Sequence, residues 1–254
     1  MTPLLRTAAA AVLGTAGTMG IPATSHAAEL HILAGGGIMG PLRELVPQFE
    51  TATGHKLVLR FGTTPELIRM ATSGDAFDLA VVPREVFKDA AAQAKFVAGP
   101  TTDVARVGLG VAVKAGTAKP DISTPDALKA ALLAASSVAS IPASAAGAQV
   151  IAAYDALGIA DAMKAKTKAQ AGPAQLVEAI AKGDADLGVF LINVLTAPGL
   201  DVVGPFPAGV QREVSFTSAV ATGARNAEAA KAFLDFLRTP AAATVIKAKG
   251  MTAG

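Results

Sequence analysis

The sequence predicts an α/β protein built as two lobes with a cleft between them, on three observations. Short apolar runs alternate with amphipathic helical stretches, as in largely parallel sheets whose strands are joined by helices. Several of these runs end in small-residue turns that open helices, at 35–37, 62–65 and 144–147. Two long apolar stretches, 107–114 and 213–220, bracket the middle of the chain, as in a chain that crosses to a second lobe and returns. Periodicity alone fits one continuous doubly wound sheet equally well.

Taken in order, residues 1–27 have the layout of a secretory signal. Arg6 supplies a basic start, 8–19 an apolar stretch, Pro22 a helix break, and Ser25-His26-Ala27 a small-x-small site ahead of Ala28. Gly14, Gly17, Gly20 and Pro22 interrupt the apolar stretch, which falls short of the roughly 20 residues a membrane span needs. With no Cys near the cut there is no lipoprotein attachment, so the reading is a free, soluble periplasmic protein.

Residues 29–34 (ELHILA) read as a strand running into Gly35-Gly36-Gly37. After Pro41, Leu42, Leu45, Val46 and Phe49 recur at helical spacing and define one buried face, ended by Gly54. A strand over 56–61 leads to Gly62-Thr63-Thr64-Pro65, where Thr64 is read as the N-cap and Pro65 as the first helical residue. Gly74 closes that helix, and 78–82 is a third buried strand ending at Pro83-Arg84. Thr124-Pro125-Asp126 opens a helix over 127–135, and 138–141 is a strand. The loop 142–147 leads into a helix that ends at Leu157-Gly158. A helix over 176–182, strands at 187–192, 202–203 and 213–220, a helix over 227–238 and a short one after Pro240 complete the chain. The cluster at 164–168 (KAKTK) reads as a solvated helix end.

Composition narrows the function. The 254 residues are 52% hydrophobic and 17% charged, too apolar for disorder and enough for a sizeable core. A net charge of +2 gives no concentrated basic face for nucleic acid. The absence of Cys excludes disulfides, thiolate metal sites and cysteine nucleophiles, and three His leave little for a histidine metal centre. Neither a metal nor another cofactor is expected. There is no G-x-S-x-G, H-E-x-x-H or G-x-x-x-x-G-K-[ST] pattern, and Asp75 and Asp78 read as turn and strand-start residues. His31 and His55 read as structural.

Gly35-x-Gly37-x-x-Gly40 matches the dinucleotide fingerprint between a strand and a helix, but the next strand ends Leu59-Arg60-Phe61 without the acidic residue that holds a ribose. What remains is a set of three strand-to-helix turns whose free amides and hydroxyls form a seat for a small anion. Arg84, just past a strand end, could meet a carboxylate. The rival readings are an exported α/β enzyme and an oxidoreductase using the 35–40 turn.

The ordered set Phe49-Glu50…Thr53-Gly54, Gly62-Thr63-Thr64-Pro65-x-Leu67, Gly74-Asp75-Ala76-Phe77-Asp78, Ala146-Gly147…Leu157-Gly158, Gly188-Val189 and Pro240-Ala241-Ala242 resembles the molybdate-binding-protein-like group of periplasmic solute-binding proteins. The resemblance spans essentially all of the mature chain. It implies the type II periplasmic binding fold, two Rossmann-like lobes formed by 28–108 with 215–254 and by 109–214. It further implies a monomer without enzymatic activity that delivers a small anion to an inner-membrane ABC permease. The implied contacts are Gly36 and Gly37, Thr63 and Thr64, Ala146 with the Gly147 amide, Pro173 and Leu191, with Asn193 and Arg84 as further candidates. Two positions depart from the molybdate pattern, since Gly37 stands for a serine and Leu191 for a tyrosine. With two hydroxyl donors lost, the vacated volume and the added apolar surface suit a somewhat larger anion such as an organic carboxylate.

Overall fold

The computed structural model describes residues 27–99 and 101–254. The segment read as an export signal therefore lies outside the described residues, apart from Ala27.

The chain starts with β1 (Glu29–Gly35), a 3-10 turn (Gly36–Ile38) and α1 (Met39–Thr53), then β2 (Lys56–Gly62) and α2 (Thr64–Thr72). Next come β3 (Leu79–Pro83), a second 3-10 turn (Arg84–Lys88), the short α3 (Ala90–Gln93) and the long β4 (Thr102–Lys114). The middle of the chain holds α4 (Pro125–Ala134), β5 (Val138–Ser140), α5 (Ala145–Ala156), α6 (Ala160–Lys166) and β6 (Thr167–Ala169). It continues through α7 (Pro173–Lys182), β7 (Leu187–Leu191) and β8 (Leu200–Pro205). The return and end are β9 (Glu213–Val220), α8 (Ala227–Leu237), α9 (Pro240–Ala248) and β10 (Thr252–Ala253).

The strands lie in the order β2-β1-β3-β9-β4-β7-β5-β6, with β8 and β10 also paired to β4. β1 runs parallel to β2 and β3, and β5 runs parallel to β6 and β7. These two parallel groups are the centres of the two lobes. Between them β3, β9, β4 and β7 pair antiparallel. β4 belongs to both groups: it pairs with β9 as far as Gly108 and with β7 from Leu109 onward. β3 and β7 are buried along their whole length, which explains their unbroken apolar sequences LAVVP and LGVFL.

Helices bury their apolar stripes on these sheets. On α1, Leu42, Leu45 and Phe49 are buried, and the Phe49 ring meets the edge of Phe233 in α8 at 5.0 Å. Asp78 is the chief buried carboxylate, and it works as a backbone clamp. It accepts hydrogen bonds from the amides of His31, Arg225 and Asn226, joining β1 to the start of α8. His55, also buried, accepts from the Ala28 amide through Nδ1.

Some boundaries differ from the sequence reading. The cap of α2 is Thr63 and not Thr64, because Glu66 reaches back to the Thr63 amide and closes a capping box there. α5 starts at Ala145 inside the supposed loop, since Ser144 accepts the Gly147 N–H and caps the helix. β4 starts five residues before 107, where its alternating half-polar stretch pairs with β9. The 164–168 cluster holds the end of α6 and all but the last residue of β6, a three-residue edge strand too short to show a period.

Candidate functional site

One cleft between the lobes collects the strand-to-helix turns. Gly36, Gly37, Gly62, Thr63, Thr64 and Pro83 line it from one lobe. From the other come Ile141, Ser144, Ala145, Ala146, Pro173, Phe190 and Leu191, while Val214 and Phe216 of β9 form the floor. The site lies at the carboxyl ends of the parallel strands, where open α/β sheets place ligands. It is narrow, with a cavity volume of about 30 Å³, roughly two water-sized spheres.

The lobes touch across this cleft. The Ala145 N–H donates to Thr64 Oγ1 at 3.0 Å, and Asn193 Nδ2 donates to the Gly37 carbonyl at 2.8 Å. The Gly35–Gly37 backbone is packed so closely, by Phe216 of its own lobe and by Leu191 and Pro173 of the other, that side chains are excluded. A Cβ on Gly37 would lie 2.5 Å from Leu191 Cδ1 and 2.8 Å from Phe216 Cζ. A Cβ on Gly35 would lie 2.7 Å from Phe216 Cε1. Two of the three glycines of the apparent dinucleotide fingerprint, Gly35 and Gly37, thus make room for the protein's own Phe216 and Leu191.

The cleft carries no charged side chain among its lining residues. Its polarity comes from helix starts. The 3-10 turn before α1, α2, α5 and α7 all begin on it, and their first-turn amides have no intrahelical acceptor. Aligned peptide dipoles place about half a positive charge at the starts of the α-helices α2, α5 and α7, so the cleft favours an anion without a lysine or arginine. Apolar walls from Phe190, Leu191, Phe216 and Pro173 strengthen that field by keeping the local dielectric low.

The hydroxyls differ. Thr64 accepts the Ala145 amide, and its own proton is free to point into the cleft. Thr63 instead donates both its amide and its hydroxyl to Glu66 Oε2, each at 2.8 Å. These two bonds, the amide first, hold the Glu66 carboxyl below the ordinary glutamate value. Ser144 donates its hydroxyl to the Ile141 carbonyl and accepts from the Gly147 N–H.

Of the residues singled out in the sequence, Gly36, Gly37, Thr63, Thr64, Ala146, Pro173 and Leu191 come together on the cleft. Gly147 does not line it, because its amide caps onto Ser144 and its α-carbon lies against the 141–142 backbone. Asn193 stands behind Gly37 and holds that carbonyl. Arg84 also lies off the cleft. The 3-10 turn after Pro83 carries it outward, and its guanidinium binds both carboxylate oxygens of Asp103 at 2.7 Å. The 144–147 turn read from the sequence brings Ser144 to the cleft, whereas sequence reasoning missed Phe190, Phe216 and, behind Thr63, Glu66. For Glu66 a signal existed, the Thr-x-x-Glu spacing of a capping box. No cluster of three His, Asp or Glu among the described residues could hold a metal ion.

Two α/β lobes joined through β4, with several helix starts meeting at the cleft between them, define the type II periplasmic binding fold. The profile of the family of bacterial extracellular solute-binding proteins matches residues 30–252, and the chain belongs to that family. It is similar to the aconitate isomerase of a Pseudomonas species, 33% identical over 99% of this chain and 97% of that protein. It is also similar to the molybdate-binding protein ModA of Azotobacter vinelandii, 28% identical over 89% of this chain and 90% of that one. The solved structure of the Azotobacter vinelandii periplasmic molybdate-binding protein superposes with a TM-score of 0.72 at 21% identity, covering 89% of this chain and 99% of that one.

Proposed function

We propose that this solute-binding protein captures a small organic carboxylate between its lobes in the periplasm and delivers it, as a monomer, to an inner-membrane ABC permease. Gly36, Gly37, Thr63, Thr64, Ala146, Pro173 and Leu191 form the binding surface. The lobes are 28–108 with 215–254 and 109–214, hinged where β4 changes partners between Gly108 and Leu109, and they must part at that hinge to admit the ligand, because the cleft as it stands has a volume of only about 30 Å³.

The carrying observation is the contact between Gly37 and Leu191. The space where a serine side chain would stand is filled by a leucine methyl and the Phe216 ring, so neither position can offer a hydroxyl to a compact oxyanion. A tetrahedral oxyanion needs donors on every side, and each missing charged hydrogen bond costs about 1.5–3 kcal/mol. A carboxylate needs donors at its oxygens only and gains from an apolar wall beside its carbon chain. The relative named aconitate isomerase supports the same ligand class, since aconitate is a tricarboxylate.

Thermal-shift and titration calorimetry with molybdate, tungstate, sulfate, phosphate and a panel of mono-, di- and tricarboxylates tests this. A ligand at 100 times its Kd adds roughly 2.7 kcal/mol, a shift of several degrees. Stabilisation by carboxylates is expected. Nanomolar molybdate binding would overturn the ligand class and keep the scaffold.

The relative's name favours a second reading, in which the bound acid is also isomerised. Moving an allylic proton needs a base at the ligand. No titratable side chain lines the cleft, and Glu66 stands behind Thr63, hydrogen-bonded to it. Interconversion of cis- and trans-aconitate, followed by ultraviolet absorbance with stoichiometric protein, separates turnover from capture.

A further inference from the structure

We infer that Glu66 fixes the polarity of the Thr63 hydroxyl, so that the cleft prefers an anion carrying a hydroxyl or a retained proton over its matched counterpart without one. The inference rests on the anion-binding reading above and deepens it.

The geometry leaves few alternatives. Thr63 Oγ1 lies 2.8 Å from Glu66 Oε2, and the same oxygen accepts the Thr63 amide at 2.8 Å. An ionised carboxylate has no proton to give, so the hydroxyl proton must point at Glu66. The Glu66 N–H takes one lone pair of the Thr63 oxygen in the capping box, so what Thr63 then shows to the cleft is its remaining lone pair, which accepts a hydrogen bond and repels a bare oxyanion. Thr64, one residue on, keeps the opposite polarity: its oxygen takes the Ala145 N–H and its proton is free. Two adjacent threonines therefore present one acceptor and one donor.

Gly62 makes the arrangement possible. A Cβ there would lie 3.1 Å from Glu66 Cβ and 3.4 Å from Glu66 Oε2, so a side chain at 62 would crowd the glutamate as it curls back over the turn. The carboxylate also offsets part of the positive end of α2, lowering the appeal of the seat for a fully charged dianion. Glu66 does not line the cleft, so it acts through Thr63 and is a positioning residue.

The test uses ligand pairs that differ by one donor: malate against succinate, citrate against tricarballylate, and hydrogen phosphate against sulfate at pH 8. Calorimetric Kd ratios are measured for every pair of which either member binds. In the wild type the donor-bearing member is expected to bind about tenfold more tightly, the size of one hydrogen bond to a polarised group. Glu66→Ala frees the hydroxyl to donate and should bring the ratio to about one or invert it. Glu66→Gln keeps a residue type suited to the capping box, which protects folding, and should give an intermediate ratio. Circular dichroism checks that both variants are folded. A wild-type ratio near one, or a ratio that neither substitution moves, overturns the role of Glu66 while anion binding stands. Failure of every anion to bind overturns the anion-binding reading and this inference with it.

Discussion

Two turns of the same lobe meet the cleft side by side and do opposite work. The Gly35–Gly37 turn is bare backbone pressed against Leu191 and Pro173 of the facing lobe and against Phe216 of its own. The Gly62–Thr64 turn stands back far enough to keep two hydroxyls, each held in a set polarity by a named partner. The first turn decides how closely the lobes can shut. The second decides what the closed cleft recognises. Glycine thus marks the position where contact between lobes replaced side-chain chemistry, and threonine the position where chemistry was retained.

The largest expected effect comes from breaking the first turn. Gly37→Ala puts a methyl 2.5 Å from Leu191 Cδ1 and 2.8 Å from the buried Phe216 ring. Overpacking of this kind costs about 1–3 kcal/mol. Because the nearer clash, with Leu191, is between lobes while the Phe216 clash lies within one lobe, both closure and stability should suffer, and ligand affinity should fall by about a hundredfold. Adding Leu191→Ala removes the nearer clash and should restore part of the loss, measurable as a coupling energy in a double-mutant cycle. Gly40→Ala is the control. A Cβ there meets nothing within 4 Å and Gly40 lies in α1, so the substitution should leave stability unchanged or raise it by up to about 1 kcal/mol. A true dinucleotide turn would be damaged at both glycines. Equal damage at 37 and 40 would therefore revive that reading.

The next effect sharpens the second turn. Thr64→Val keeps the side-chain shape and removes the oxygen that accepts the Ala145 N–H at 3.0 Å. The amide loses its partner across the cleft, at a cost of about 1–3 kcal/mol if it stays dry. The ligand loses the one free hydroxyl donor of this turn as well. Calorimetry should show weaker binding by tenfold or more, with a smaller change in thermal midpoint than for Gly37→Ala. If affinity survives, the helix-start amides alone hold the ligand.

What could be read from the sequence follows the range of the interactions involved. β9 was legible to the residue, because VSFTSAV shows its pattern locally and both ends are marked. The three turns were legible as helix starts from Gly, Thr and Ser alone. Their meeting at one cleft was not, since it depends on β4 and β9 carrying the chain between lobes. The cap of α2 was placed one residue late because Thr63 and Thr64 both precede Pro65, and only Glu66 reaching back distinguishes them. Arg84 was misplaced for a longer-range reason. Its partner Asp103 is 19 residues away, and nothing near Pro83 in the sequence shows that the chain turns outward there. Leu191 and Phe216 are ordinary core residues in the sequence, and only the 2.5 Å and 2.8 Å approaches at Gly37 make them determinants of the site.

The smallest expected effect separates the charge of Glu66 from its shape. Its carboxyl is held below the ordinary glutamate value of 4.5 by the Thr63 amide and hydroxyl. A depressed value in the folded state means the ionised form is the one folding favours. Its stabilising contribution is therefore complete above the unfolded-state value and is lost as pH falls through the lower folded-state value. A charge at a helix start contributes about 0.3–1 kcal/mol, or roughly 1–3 °C in a chain of this size. The thermal midpoints of wild type and Glu66→Gln should differ by that amount, constant from pH 7 down to about 5, and converge on further acidification. The Gly35–Gly37 turn contains no titratable group, so Gly37→Ala should keep the same deficit relative to wild type throughout. A Glu66→Gln gap that does not close in acid would mean that the carboxylate contributes through packing on Gly62 and not through its charge, and the polarity assigned to Thr63 would lose its cause.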